Sequence, residues 1–141
     1  MRITLEANYA IRIIDCLANA ESRLSAKIIS ERTGVSLRFA LKILRKLCIA
    51  KLICSYKGAH GGYELARNPR EINLKDVIET VDGPIAINRC EENCICSKVE
   101  NVELCAYFAI FTEMSEMIRD KLASINFDRK VSPIITKHPN S

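Results

Sequence analysis

Four of the chain's seven cysteines, Cys90, Cys94, Cys96 and Cys105, lie within the polar stretch RCEENCICSKVENVELC at positions 89–105. Thiols this close together suit three kinds of chemistry: a structural zinc site, a redox pair, or the ligand set of an iron–sulfur cluster. Their pattern is C-x3-C-x-C-x8-C. Structural zinc sites usually begin with a C-x-x-C knuckle that presents two sulfurs to one ion, and thioredoxin-like redox motifs need the same spacing at a helix start. Neither spacing occurs in this stretch. An iron–sulfur cluster is larger and accepts ligands from an open loop and from the first turn of a following helix. Cys105 is expected in such a turn, where the helix dipole favours a thiolate. The neighbouring Glu91, Glu92, Glu100 and Glu103 oppose an anionic site. The segment is therefore expected to be poorly ordered without its metal, which suits a switch whose order follows its cofactor.

The remaining cysteines, Cys16, Cys48 and Cys54, occur singly within apolar patterns and read as small buried hydrophobes. The chain has 141 residues, 48% apolar and 27% charged, enough for one globular domain or a small domain with an oligomerisation element. Its start, MRITLEANYAIRIIDCLANAE, carries charges throughout, and no stretch approaches the roughly 18 apolar residues of a membrane span. A cytoplasmic location without membrane attachment is expected. Reducing conditions there disfavour structural disulfides.

The elements that must position the thiols are signalled on both sides of them. Between residues 4 and 20, Leu5, Tyr9, Ile13 and Leu17, with Ala10 and Ile14 beside them, recur at helical spacing as one apolar stripe, with Thr4 as the expected N-cap. Ser25 caps a short helix, AKIISERT, that Gly34 ends, and Ser36 caps a third, LRFALKILRKLCIAKL. The third helix is two-sided: Ala40, Leu44 and Leu47 face a core, while Arg38, Lys42 and Arg45 recur on the opposite side. Two helices joined by a glycine turn, the second with a basic outer face, fit a helix-turn-helix whose second helix enters a DNA groove. LICSYKGAHGGYELA then reads as a β-hairpin, a wing with Lys57 and His60 at its tip and Tyr63 in its core. GAHGG is a poor nucleotide-phosphate loop, because it lacks the G-K-S/T ending and leads into a strand.

Charge supports a polyanion as partner. The net charge is +4, but residues 32–63 contain seven basic residues and no acidic one, and a one-signed patch attracts polyanions. Asn73 caps a further helix, LKDVIETVDG, and Gly83 with Pro84 marks the end of the winged domain. Beyond the cysteines, residues 103–125 form the longest helical pattern. Leu104, Phe108, Phe111, Ile118, Leu122 and Ile125 make a heptad-like seam broken only at Ser115, and Tyr107, Ile110, Met114 and Met117 make a second stripe. A helix with two apolar stripes is covered from two sides, so the second stripe is expected to meet the same helix of another chain. The expected architecture is mainly α with a small β-hairpin wing. Residues 1–83 form a winged helix-turn-helix DNA-binding domain, 84–102 a cysteine-rich cofactor loop, 103–125 a dimerisation helix and 126–141 a flexible tail.

MRIT…NYAIRII, KGAHGGYELAR…P and INLKDVIETVDGP resemble the Rrf2 family of winged-helix transcription regulators over about residues 1–125. The resemblance implies a homodimer on a palindromic double-stranded DNA site and, in the sensor branches, an iron–sulfur cluster that tunes DNA binding, with a 2Fe–2S form expected over a 4Fe–4S form. It places the family's three cysteines on Cys90, Cys96 and Cys105. The fourth ligand departs from the family. The His of IscR-like members falls on Phe108, and the Asp of NsrR-like members falls on Asn8. Cys94 is then the expected replacement, with Glu6 of the partner chain the alternative. The resemblance also places Ser36, Arg38, Phe39 and Lys42 at the N-terminal end of the reading helix and Lys57 with His60 in the wing; Arg45, on the basic face of the same helix, is a further expected DNA contact.

Two other readings remain at this point. One is a cluster-free regulator of the same fold that senses thiols or metabolites. The other is a zinc-stabilised module whose basic face meets an acidic protein. An enzyme is not expected: His60 and His138 are the only histidines, and no catalytic constellation converges on either.

Overall fold

The computed structural model describes residues 1–88 and 106–128. Helix α1 (Leu5–Ala18) begins where Thr4 Oγ1 accepts the Ala7 amide at 3.1 Å. The side it buries is Ala7, Ala10, Ile13, Ile14 and Leu17, whereas Leu5 is exposed and Tyr9 half-buried. The expected stripe, with Ala10 and Ile14 beside it, is therefore rotated away from Leu5 and Tyr9 so that Ala7 and Ala10 both lie in the core. Their small side chains sit on a helix packed against α2, α3 and α4 at once, where bulk would hold the neighbours apart.

Helix α2 (Ala26–Thr33) is capped by Ser25 and closed by Gly34 at φ 71°. Val35 is buried in the turn, and Ser36 caps α3 (Leu37–Ile49). The third helix is shorter than its sequence pattern. Lys51 takes φ 59°, and the Leu52 amide donates to the Leu47 carbonyl at 3.0 Å. Ending there returns Leu52 and Ile53 to the core, a gain that outweighs the strain of a non-glycine residue in the left-handed region.

Strands β1 (Ile53–Tyr56) and β2 (Gly62–Leu65) form the expected antiparallel hairpin, in register Ile53↔Leu65 to Tyr56↔Gly62. Leu24, between α1 and α2, bridges Tyr63 through two backbone hydrogen bonds of 3.1 and 2.8 Å, a pairing without a sequence signal. After a 3-10 turn (Pro69–Glu71), Asn73 Oδ1 accepts the Asp76 amide at 2.9 Å and starts α4 (Leu74–Asp82). Helix α5 (Ala106–Ala123) packs on α4. The chain then docks back on the winged domain: the Leu74 amide donates to the Ile125 carbonyl at 2.9 Å, and Phe127 joins the core.

On α5, the seam residues Phe108, Phe111, Ile118 and Leu122 are half-buried, and Ser115 among them is fully buried. The second stripe is open, with Tyr107 71%, Ile110 50%, Met114 45% and Met117 65% exposed. Leu104 and the remainder of 89–105 and 129–141 lie outside the described residues. Among the described residues, no helix is long and apolar enough to cross a membrane.

Candidate nucleic-acid interface

The capping of α3 fixes what its outer face offers. Ser36 Oγ accepts the Phe39 amide at 3.4 Å, so its acceptor is committed to the helix start. Arg38, Lys42 and Arg45 are exposed opposite buried Ala40, Ile43, Leu44 and Leu47. Phe39, 48% exposed, meets Tyr9 of α1 edge-on with ring centroids 6.3 Å apart, and Arg12 lies 5.6 Å from the Tyr9 ring. This stacking orients the first turn of α3. Sequence reasoning also passed over Leu37, Leu41 and Ile49, apolar yet exposed on the same helix.

The basic span is not without a counter-charge. Glu6, in the first turn of α1, places Oε1 2.7 Å from Lys46 Nζ and Oε2 3.5 Å from Lys42 Nζ. The Lys46 hydrogen bond holds the Glu6 carboxyl below its ordinary value, against an opposing push from partial burial. Thr4 positions this turn, because its amide and hydroxyl both donate to the Asp82 carboxylate at the end of α4. Sequence gave no sign of this pairing: Glu6 lies 40 residues from Lys46, too far for any helical spacing rule.

The wing is built on two close approaches. A Cβ at Gly61 would collide with the Tyr56 carbonyl oxygen, and one at Gly62, at φ 136°, would sit 2.8 Å from the Leu24 carbonyl oxygen. Lys57 and His60 are exposed in the connecting loop. The base of the wing is clamped by Arg23, whose guanidinium lies 3.4 Å from the Tyr56 ring centroid and 3.3 Å from Glu64. A hydrogen bond to Glu64 pushes the Tyr56 phenol above its ordinary value. No sequence pattern marked this cluster, which joins the α1–α2 connection to both strands.

Cys90, Cys94, Cys96 and Cys105 lie outside the described residues, but the chain leading to them is anchored. The Ile85 amide donates to Glu79 Oε1 at 3.2 Å, Arg119 Nη1 donates to the Ile85 carbonyl at 2.6 Å, and the Ile87 amide donates to Ser115 Oγ at 2.9 Å. A soft four-thiolate set fits an iron–sulfur cluster in donor chemistry. The alternative fourth ligands fit less well. Glu6 is engaged by two ammonium groups, and Asn8 is an exposed neutral amide on α1. Phe108 offers no donor at all. Among the described residues no three His, Cys, Asp or Glu side chains gather to hold a metal. Cys16, Cys48 and Cys54 are free and half-buried rather than fully buried, and desolvation pushes the Cys16 and Cys48 thiols up, away from reactivity.

The sequence profile of the Rrf2 family, described as an iron-dependent transcriptional regulator, matches residues 3–132. IscR of Pectobacterium atrosepticum, an HTH-type transcriptional regulator, is 31% identical over 134 residues, which span 94% of this chain and 80% of IscR. The protein rrf2 of Nitratidesulfovibrio vulgaris is 32% identical over 127 residues, 86% of this chain and 81% of rrf2. Among solved structures, CymR, the global cysteine regulator of B. subtilis, has a TM-score of 0.72 at 25% identity, covering 91% of this chain and 94% of CymR. T. potens IscR has a TM-score of 0.71 at 25% identity, covering 91% and 84%.

Proposed function

The chain belongs to the Rrf2 family of transcriptional regulators, and from that premise we propose that it is a homodimer whose affinity for a palindromic DNA site is set by an iron–sulfur cluster on Cys90, Cys94, Cys96 and Cys105. It is a DNA-binding regulator rather than an enzyme. The observation that carries the choice of DNA face is the outer side of α3, where Arg38, Lys42 and Arg45 stand exposed on a helix capped by Ser36. Arg38 and Lys42 meet base edges or phosphates near the N-terminus of the helix, Arg45 a phosphate further along, and Lys57 and His60 the backbone or minor groove beside it.

The cluster reading rests on the four thiols and on their place in the chain, between α4 of the winged domain and α5. A bound cluster supplies a centre that responds to redox state, iron supply or small ligands. The residues of this chain do the rest: Glu79, Ser115 and Arg119 hold the segment 85–87 that leads into the thiols, so a change of order in 89–105 is delivered to both α4 and α5. The exposed stripe of α5 pairs with its copy, which sets the spacing of two reading helices.

Anaerobic purification followed by iron and sulfide counting tests the cofactor. Brown protein with visible absorbance that a Cys90→Ala variant loses is expected, and Mössbauer spectra then separate 2Fe–2S from 4Fe–4S. Colourless protein with full zinc occupancy sinks the cluster. The likeness to CymR favours one second reading, a cluster-free thiol regulator. That reading predicts metal-free protein whose binding to an inverted-repeat duplex changes with thiol oxidation. On either reading, Arg38→Ala weakens specific binding by about 1–3 kcal/mol if Arg38 reads a base.

A further inference from the structure

The span from residue 32 to 63 carries no acidic residue, yet two of its seven cations are already occupied. Lys46 donates to Glu6 Oε1 at 2.7 Å and Lys42 approaches Glu6 Oε2 at 3.5 Å. The two oxygens of one carboxylate thus face two ammonium groups one helical turn apart, much as the oxygens of a DNA phosphate would. The carboxylate is held in place from behind. Thr4 caps α1 and is itself bonded to Asp82, so the turn carrying Glu6 is fixed between α4 and α3. Glu6 is 24% exposed in its side chain, Lys42 56% and Lys46 35%, so water and a polyanion reach all three.

We propose that Glu6 is an internal competitor for DNA phosphate, occupying Lys42 and Lys46 on the reading helix and releasing them only to a duplex seated closely enough to displace it. The inference rests on the assignment of α3 as the DNA face. Non-specific association depends almost wholly on phosphate neutralisation and counterion release. A regulator with two cations withheld therefore loses affinity for arbitrary DNA, whereas a closely seated specific duplex displaces the carboxylate and regains both cations. Glu6 acts on discrimination between specific and non-specific duplexes, without touching a base.

The test compares wild-type protein with Glu6→Gln, Lys42→Gln, Arg38→Ala and the triple variant Glu6→Gln/Lys42→Gln/Lys46→Gln. Affinity for a random-sequence duplex is measured by fluorescence anisotropy over a series of KCl concentrations, after circular dichroism has confirmed that each variant is folded. Glu6→Gln is expected to bind non-specific DNA about threefold tighter or more at low salt. Its plot of log affinity against log salt is expected to be steeper by about 1 to 2, one increment of about 0.9 per released cation. The triple variant is expected to lose that gain. If Glu6→Gln matches wild type in slope while Lys42→Gln is shallower, α3 remains the DNA face and the competitor role is overturned. If Lys42→Gln and Arg38→Ala both leave the slope at the wild-type value, the DNA face lies elsewhere and the inference falls with it.

Discussion

Ser115 Oγ accepts the Ile87 amide at 2.9 Å and donates to the Phe111 carbonyl at 2.9 Å. The residue that interrupts the apolar seam of α5 is therefore its only fully buried side chain among the described residues, and it tethers the strand of chain leading out of α4. Removing the hydroxyl leaves a part-buried amide without this acceptor. Ser115→Ala is expected to cost about 1–2 kcal/mol, seen as a lower thermal midpoint. Ser115→Leu completes the heptad on paper but has no room in a fully buried position, and is expected to be worse than Ala. Equal midpoints for wild type and both variants would show that the tether is not stabilising.

The Glu6–Lys46 pair makes stability depend on pH in a stated direction. A carboxyl held below its ordinary value in the folded state ionises more readily there than in the unfolded chain. Its contribution is thus present above the unfolded value of 4.5 and is lost as pH falls through the lower folded value. Denaturation midpoints measured from neutral pH downward are expected to fall through this window more steeply for wild type than for Glu6→Gln. Parallel curves would show that the pairing does not persist in solution.

Gly62 sits where a side chain has neither conformational nor physical space, at φ 136° with the Leu24 carbonyl oxygen 2.8 Å from any Cβ. Gly62→Ala is expected to push the hairpin off Leu24 and to destabilise the fold by about 1–3 kcal/mol. Gly58, also at positive φ but with open space around it, is expected to tolerate Ala at a smaller cost. Amide exchange at Tyr63, whose N–H donates to the Leu24 carbonyl, reads the difference directly. Unchanged protection in Gly62→Ala contradicts the close-approach account.

What sequence conveyed and what it withheld divide along the range of the interaction. The caps at Thr4, Ser25, Ser36 and Asn73 were legible because a cap is a local event between a side chain and an amide three residues on. The end of α3 was not, because Lys51 is driven into the left-handed region by the burial of Leu52 and Ile53 rather than by its own preference. The buried side of α1 was misjudged by a fraction of a turn: Ala10 and Ile14 were placed beside the stripe, but Ala7 looks neutral until the three helices packed against α1 are known. Leu24 pairing with Tyr63, Phe127 in the core and Arg23 on Tyr56 each join residues distant in the chain. The row of exposed cations on α3 was legible. Its counter-charge Glu6 was not, for the same reason of range.

The open stripe of α5 leads to the last expectation. Tyr107, Ile110, Met114 and Met117 lie exposed on one side of a helix of 18 residues, about 27 Å long, while Ser115 and the half-buried seam lie on another and the helix packs on α4. Four large apolar side chains in a row are a costly surface to leave in water, and their length matches a helix-to-helix contact between two copies. Ile110→Glu with Met117→Glu places two like charges on each face of that contact, and is expected to convert a dimer to a monomer in light scattering. Neither residue lies on the winged domain, so the monomer is expected to keep the helical circular dichroism signal. Its affinity for an inverted repeat should fall to that for a single half-site, because the second reading helix no longer benefits from tethering. A monomeric wild-type protein, or a double variant that stays dimeric, would show that the stripe serves another partner.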